Sequence, residues 1–229
     1  TVPFGMKILH IHGGETSLGS IDNIFRDQIT LASSFHLTSN EHHSKKIKRI
    51  LNSDNNIFNI GSLSLLNLKN ISIPKWNKIC DKLKLKKQPF ILVTFHPETI
   101  NPKNNFRYLE ILKSVFENIS SEVNLLITSS NADTYGDLYN NLFYDLSQKH
   151  PKRIFFVKTL GKLNYFSAIK NCEFVLGNSS SGIIEVASFK KYALNVGDRQ
   201  LGRVRNDNVI DVEYDKDKII NKCKKLLSN

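Results

Sequence analysis

Five short apolar runs between residues 90 and 196, separated by polar turns and helical stripes, constrain this chain more than any other feature. They are Phe90–Phe95, Asn124–Thr128, Ile154–Val157, Glu173–Gly177 and Tyr192–Val196. Phe90-Ile-Leu-Val-Thr-Phe95 has the apolar, partly β-branched character of a strand buried on both faces. Between the runs, Leu109, Leu112, Val115, Phe116 and Ile119 recur every three or four residues, as do Tyr135, Leu138, Tyr139, Leu142, Phe143 and Leu146. Those spacings make apolar helix faces. A short helix is expected around Tyr165–Lys170, and Ile219, Ile220, Cys223, Leu226 and Leu227 lie in phase on a last amphipathic helix. Strands alternating with helices imply βαβ units and a parallel sheet, with ligands at the carboxyl ends of the strands.

The first 60 residues follow the same rhythm in shorter form. Lys7–His12, Phe35–Thr38 and Ile57–Ile60 read as strands, Ser20–Ala32 and Glu41–Leu51 as helices. The polar, Lys-rich stretch Gly61–Gln88, with Pro74 inside it and Pro89 after it, reads as a linker region. Three strands are few for a free-standing doubly wound domain, and the chain opens on Thr1 with its one methionine at Met6. The expectation is therefore a first domain, residues 1–72, without its front, a linker at 73–89, and a second domain at 90–212.

Composition narrows the function classes. With 229 residues, 40% of them hydrophobic and 23% charged, the chain is an ordinary folded protein rather than a disordered or low-complexity one. No apolar run reaches the ~18 residues of a membrane-spanning helix. Cys80, Cys172 and Cys223 are scattered, without a C-x-x-C pair, which suits a reducing cytoplasm better than a disulfide framework or a zinc cage. The first residues carry no signal-peptide pattern. The net charge of +11 raises nucleic-acid binding, but the lysines are spread in runs such as Lys45-Lys46-Ile47-Lys48-Arg49, the pattern of a solvated face. Neither nucleic acid nor membrane is expected as a partner.

Nearly all the chemically suggestive segments follow a strand. Gly177-Asn-Ser-Ser-Ser-Gly-Ile-Ile-Glu185 leads from strand to helix, where backbone N–H groups and hydroxyls converge on a site suited to phosphate. An ordinary helix cap is the alternative. Glu185, about one turn on, could accept hydrogen bonds from ribose hydroxyls. Phe95-His96-Pro97-Glu98-Thr99 offers a histidine that donates to a diphosphate, acts as acid/base near neutral pH, or simply makes a turn. Thr128–Gly136 carries Ser, Asn and Asp that would be helix caps by default. Gly197-Asp-Arg-Gln-Leu-Gly-Arg-Val-Arg205 places three arginines between glycines, suited to an oxyanion or to nearby carboxylates. In His10-Ile-His-Gly-Gly-Glu15, His10 and His12 would point to one side of a strand. Two histidines and a carboxylate could hold zinc, but no further Cys or His stands nearby. His42 and His43 sit in a surface-type helix and cannot share one face. No P-loop or G-x-G-x-x-G fingerprint occurs.

Taken together, His10–Glu15, Phe95–Glu98, Ser130–Gly136, Gly177–Glu185 and Gly197–Arg203 resemble the UDP-N-acetylglucosamine 2-epimerase family, specifically its hydrolysing branch, which serves sialic- and legionaminic-acid-type synthesis. The resemblance implies an α/β, GT-B-like fold of two Rossmann-like domains with parallel sheets, the first one incomplete. It also implies an active site in the cleft and a C-terminal helix, 213–229, packing back on the N-terminal domain. It carries nucleotide and substrate contacts onto His12, His96, Asn131, Asp133, Ser179, Ser180, Gly182, Glu185 and Arg199. Catalytic carboxylates carry onto Glu15 and Asp22, with His96 a third catalytic group. The family often shows two acidic residues where this chain has Asp22-Asn23.

The implied chemistry eliminates the nucleoside diphosphate across C1–C2 of a UDP-2-acetamido sugar, then hydrates the glycal to the free 2-epimeric sugar. It needs acid/base groups on the sugar and donors on the diphosphate, and no metal or redox cofactor. A homodimer is implied as well. A non-hydrolysing epimerase, a GT-B glycosyltransferase and a catalytically incomplete nucleotide-binding fragment are the alternatives.

Overall fold

The computed structural model describes residues 2–85 and 87–228. The chain divides into two compact units, one running up to Ile71 and including Leu201–Val204, the other Ser72–Gln200 with the chain from Arg205 onward.

The first unit is a three-stranded parallel sheet with two helices. Strand β1 (Leu9–Ile11) leads to α1 (Asp22–Ala32), then β2 (Phe35–Thr38), α2 (Glu41–Leu51) and β3 (Ile57–Asn59), in sheet order β1-β2-β3. The register pairs His10 with His36 and Leu37 with Phe58. Helix α2 starts where the Asn40 side chain accepts the His43 N–H at 3.0 Å, and it ends on the left-handed Asn52. It buries His43, Ser44 and Ile47 and leaves its basic residues outside, so the lysine run is a solvated face, with Lys46 paired to Asp27 at 3.2 Å. Leu9 and Ile11 on β1, Phe58 on β3, and Ile24 and Phe25 on α1 are exposed, as befits a sheet covered incompletely.

The second unit opens with α3 (Trp76–Leu83), followed by β4 (Phe90–Thr94), α4 (Asn104–Ile119), β5 (Asn124–Thr128), α5 (Gly136–Lys149) and β6 (Ile154–Val157). Next come α6 (Gly161–Asn171), β7 (Val175–Gly177), the short α7 (Ser180–Ile184), β8 (Ala193–Val196), β9 (Val209–Val212) and α8 (Lys216–Leu227). All six strands are parallel, in the order β6-β5-β4-β7-β8-β9. The chain starts mid-sheet, winds outward through β6, and returns to wind the other way from β7. That is the doubly wound order, with its switch point between β4 and β7. Every residue of β4 and β5 is buried, and the core joins Ile91, Val93, Leu125 and Ile127 to Leu112, Phe116 and Phe143 of the helices.

The structure adds detail that the sequence does not display. The stretch read as a linker holds α3, which buries Ile79 and Cys80, stacks Trp76 on Phe90 at 4.8 Å and packs on α6 of the second unit. The C-terminal helix is part of the second unit. Its stripe Ile219, Ile220 and Cys223 is buried against α4 and β8, where an apolar face was waiting for it. Strand β9 escaped the sequence because an edge strand buries little; of its four residues only Val212 is buried.

Candidate functional site

The carboxyl ends of β4 and β7 are held together by one amide. Asn178 accepts the His96 N–H on Oδ1 at 2.7 Å and donates Nδ2 to the His96 carbonyl at 2.8 Å and to Tyr214 Oη at 3.3 Å. Gln200 Nε2 donates to the Asn178 carbonyl at 2.7 Å, tying in the turn after β8. Gly177 makes the approach possible, because a Cβ there would stand 1.9 Å from the Thr94 carbonyl oxygen. Thr94 and Thr128 share a hydrogen bond of 2.7 Å between their hydroxyls at the ends of β4 and β5.

On this frame four sequence-predicted residues form one chain of hydrogen bonds. Asn131 donates its N–H to His96 Nδ1 at 3.1 Å, and its side chain donates to Asp133 Oδ2 at 2.6 Å. Asp133 Oδ2 faces Arg199 Nη2 at 3.5 Å, and Arg199 Nε donates to the Pro97 carbonyl at 3.3 Å, beside His96 again. The turn bearing Asn131 closes on Gly136, where a Cβ would meet the Asn131 carbonyl at 2.3 Å. His96 is pushed down to about 4, by burial first and the Arg199 charge second. It is therefore neutral at pH 7, and since Nδ1 accepts a hydrogen bond, Nε2 carries the proton. In this state His96 presents its Nε2–H as a donor.

Ser179 caps α7, its side chain accepting the Ser181 N–H at 3.4 Å, and the helix lasts only five residues before a 3₁₀ turn at Val186–Phe189. The cap is thus made within the segment expected to meet phosphate, and a helix this short offers mainly its individual N–H groups rather than a long dipole. Gly182 is buried against Ala193, where a Cβ would sit at 3.4 Å. Beside them opens a pocket of about 350 Å³ lined by Thr128, Lys158, Lys162, Tyr165 and Glu185 among others. Burial pushes the Tyr165 phenol up to about 12, so it stays protonated. Lys158, Lys162 and Tyr165 were not singled out from the sequence, since nothing in β6 or α6 marks their direction.

The remaining predicted residues lie in the first unit. Glu15 is buried and paired with Arg203 Nη1 at 2.5 Å; Arg26 Nη1 donates to the Glu15 carbonyl and to Ser17 Oγ, both at 3.1 Å. Asp22 is exposed at the start of α1 and accepts from Ser20 Oγ at 3.0 Å. His43, expected on a surface helix, is buried and faces the charges of Glu15 and Arg203. Burial pushes it down to about 4. The phase of His43 with Ile47 along α2 was the available signal.

His12 does not lie beside His10 in the manner strand alternation predicts. β1 ends at Ile11, His12 takes a left-handed backbone (φ +64°), and its Nε2 accepts the Leu63 N–H at 3.3 Å. His10 Nδ1 instead meets Thr30 Oγ1 at 3.2 Å. With three different partners, His10, His12 and Glu15 do not form a ligand set for zinc, and among the described residues no His, Cys, Asp and Glu side chains cluster as a metal site.

A six-stranded doubly wound unit with donors gathered at its switch point defines the class of Rossmann-like, GT-B-type α/β proteins. Comparison with known proteins narrows this. The UDP-N-acetylglucosamine 2-epimerase family matches residues 2–229, and the chain belongs to that family. It is 34% identical over 209 residues to the GDP/UDP-N,N'-diacetylbacillosamine 2-epimerase (hydrolyzing) of Campylobacter jejuni, covering 91% of this chain and 54% of the relative. It is 33% identical to the polysialic acid biosynthesis protein P7 of Escherichia coli, covering 94% and 54%. The chain thus spans about half the length of these relatives. Among solved structures, the Methanocaldococcus jannaschii UDP-GlcNAc 2-epimerase in complex with UDP-GlcNAc and UDP superposes with a TM-score of 0.74 at 21% identity, covering 100% of this chain and 64% of that one. The Neisseria meningitidis enzyme bound to UDP-GlcNAc gives 0.75 at 14%, covering 99% and 63%. These two speak to the fold. No helix among the described residues is long and apolar enough to cross a membrane.

Proposed function

We propose that this chain carries the nucleotide site and part of the sugar site of a hydrolysing 2-epimerase acting on a UDP-2-acetamido sugar, either UDP-N-acetylglucosamine or its diacetylbacillosamine counterpart. The observation that supports this most is the chain of hydrogen bonds His96–Asn131–Asp133–Arg199 at the switch point of a chain that belongs to this family. In this reading, the Nε2–H of neutral His96, the Arg199 guanidinium and the donors of Ser179, Ser180 and Gly182 receive the diphosphate. Their work is greatest as the diphosphate leaves C1 and its charge grows. Glu185, in the adjoining pocket, takes the ribose hydroxyls.

Glu15 and Asp22 act on the sugar, one removing the C2 proton and the other assisting water addition to the glycal. Asp22 is open to solvent, whereas Glu15 is buried and paired with Arg203. The product is a free sugar of the N-acetylmannosamine type, consistent with relatives named for bacillosamine and polysialic acid metabolism. We place the protein in the cytoplasm, as a homodimer.

The test is an NMR time course of the purified chain with UDP-N-acetylglucosamine in D2O. Free UDP with 2-deuterated N-acetylmannosamine is the expected result for turnover. Because the first unit has three strands among the described residues, saturation transfer to the uridine without product would favour the second reading, a nucleotide-binding fragment. Neither signal overturns both.

A further inference from the structure

We propose that Glu98 is a positioning residue of the anion site, one that braces the turn carrying Arg199 and takes up a proton when a diphosphate docks there. The inference rests on the nucleotide reading above. Glu98 stands four residues beyond β4, and its own backbone is clamped. Asn105 Oδ1 accepts the Glu98 N–H at 2.9 Å, and Asn105 Nδ2 donates to the Glu98 carbonyl at 3.0 Å. The residue is only 8% exposed, and Oε1 is fully buried without a hydrogen-bond partner. A buried carboxyl oxygen left without a partner is costly, and a position that retains one calls for a reason.

The reason offered here lies in the turn that covers it. Gly197, with φ +75°, lies so close that a Cβ would stand 3.3 Å from Glu98 Oε1 and 2.5 Å from the Tyr214 ring. Two residues on is Arg199. The groups facing the carboxyl come from every neighbouring element: Arg199 and Asp198 from the turn after β8, Tyr139 from α5, and Tyr214, itself stacked on Tyr108 of α4 at 3.7 Å. Arg199, through its charge and its backbone N–H, favours the carboxylate, while Asp198 opposes it. The phenols of Tyr139 and Tyr214 are pushed upward by burial and stay neutral.

Burial outweighs these and pushes Glu98 up to about 7. Near neutrality one proton therefore decides whether Arg199 is offset by Asp133 and Glu98 together or by Asp133 alone. A diphosphate against Arg199 adds negative charge beside Glu98, which favours the neutral carboxyl and draws a proton from solvent onto it. By linkage, affinity then rises as pH falls through this range.

Calorimetry with the C-glycosidic analogue of UDP-N-acetylglucosamine tests this, because UDP cannot be eliminated from it and its diphosphate, blocked at both ends, does not titrate near pH 7. His96, pushed down to about 4, does not titrate there either. In buffers of different ionisation heat at pH 7, the wild type should take up a fraction of a proton. Its affinity should fall by about two- to fivefold from pH 6 to pH 8, as a shift of about half to one pKa unit on binding requires. Glu98→Gln should take up none and show a flat profile. A 13C NMR titration of labelled glutamate in the wild type, which needs no variant, should show one carboxyl with a midpoint near 7. Binding without proton uptake, uptake that survives Glu98→Gln, or no glutamate above the ordinary range would overturn this inference alone. An absence of binding at every pH would overturn the nucleotide reading with it.

Discussion

Asn178 grips the backbone of His96 in both directions, accepting its N–H at 2.7 Å and donating to its carbonyl at 2.8 Å. The two strands that flank the switch point are thereby locked in one register at the place where the chemistry is proposed. A side-chain amide carries its acceptor and its donor on separate atoms, which lets it meet the N–H and the C=O of one residue together.

Asn178→Ala should therefore leave the part-buried N–H and C=O of His96 without this partner, at a cost of about 1–3 kcal/mol. Asn178→Asp keeps the acceptor and loses the donor, and should fall between. Urea unfolding of the three proteins checks the order, which fails if the aspartate is the least stable.

Stability of the second unit should depend on pH through two groups of opposite sign. His96 binds its proton less readily folded than unfolded, so its share is present above pH 6.5 and is lost as pH falls toward about 4. Glu98 binds its proton more readily folded, so it adds stability as pH falls from about 7 toward 4.5. Each spans about 3 kcal/mol at most by linkage, and in the wild type they largely offset one another. Glu98→Gln should expose a steep acid loss and His96→Gln an acid gain, read from urea midpoints between pH 4.5 and 7. Parallel profiles for the two variants would contradict this.

Gly177→Ala should be far more damaging than a surface glycine change. The new methyl would stand 1.9 Å from the Thr94 carbonyl oxygen, against backbone that cannot yield without parting β4 from β7. A loss of more than about 3 kcal/mol is expected. Gly161→Ala, with nothing within 4 Å of its Cβ position, is the control for its left-handed backbone. Equal melting temperatures would refute the steric argument.

The Glu15–Arg203 pair, each side chain about one-tenth exposed, should respond asymmetrically. Arg203→Leu leaves a buried carboxylate without its cation and should cost about 3–5 kcal/mol, whereas the double change Glu15→Leu/Arg203→Leu should recover most of it. A thermodynamic cycle on unfolding free energies measures the coupling, and additive single effects would show that the pair does not act as one.

The second unit was legible because burial on both faces leaves a run such as Phe90–Thr94 no other use, and helix stripes such as Leu112–Phe116 repeat at the right spacing. Turns rich in Gly, Ser and Asn fell after the strands, where the donors of Ser179, Asn131 and Arg199 are found. Edge and docking elements were less legible. β9 is four residues at a sheet edge and α3 eight residues in a Lys-rich stretch, and what they cover is known only once the sheet is in place.

By itself the sequence determined the alternation of elements, the family and the residue types available to the site, because periodicity and motif order are local properties. Which groups meet was decided by tertiary structure. The strand order brings Phe95–Glu98 beside Gly177–Ser179 across about 80 residues of chain, and the distance is set by sheet pairing. The same packing left His96 neutral, bent His12 away from His10, and sealed Glu98 beneath Gly197. Charge state and side-chain direction depend on neighbours remote in sequence, and only the folded chain supplies them.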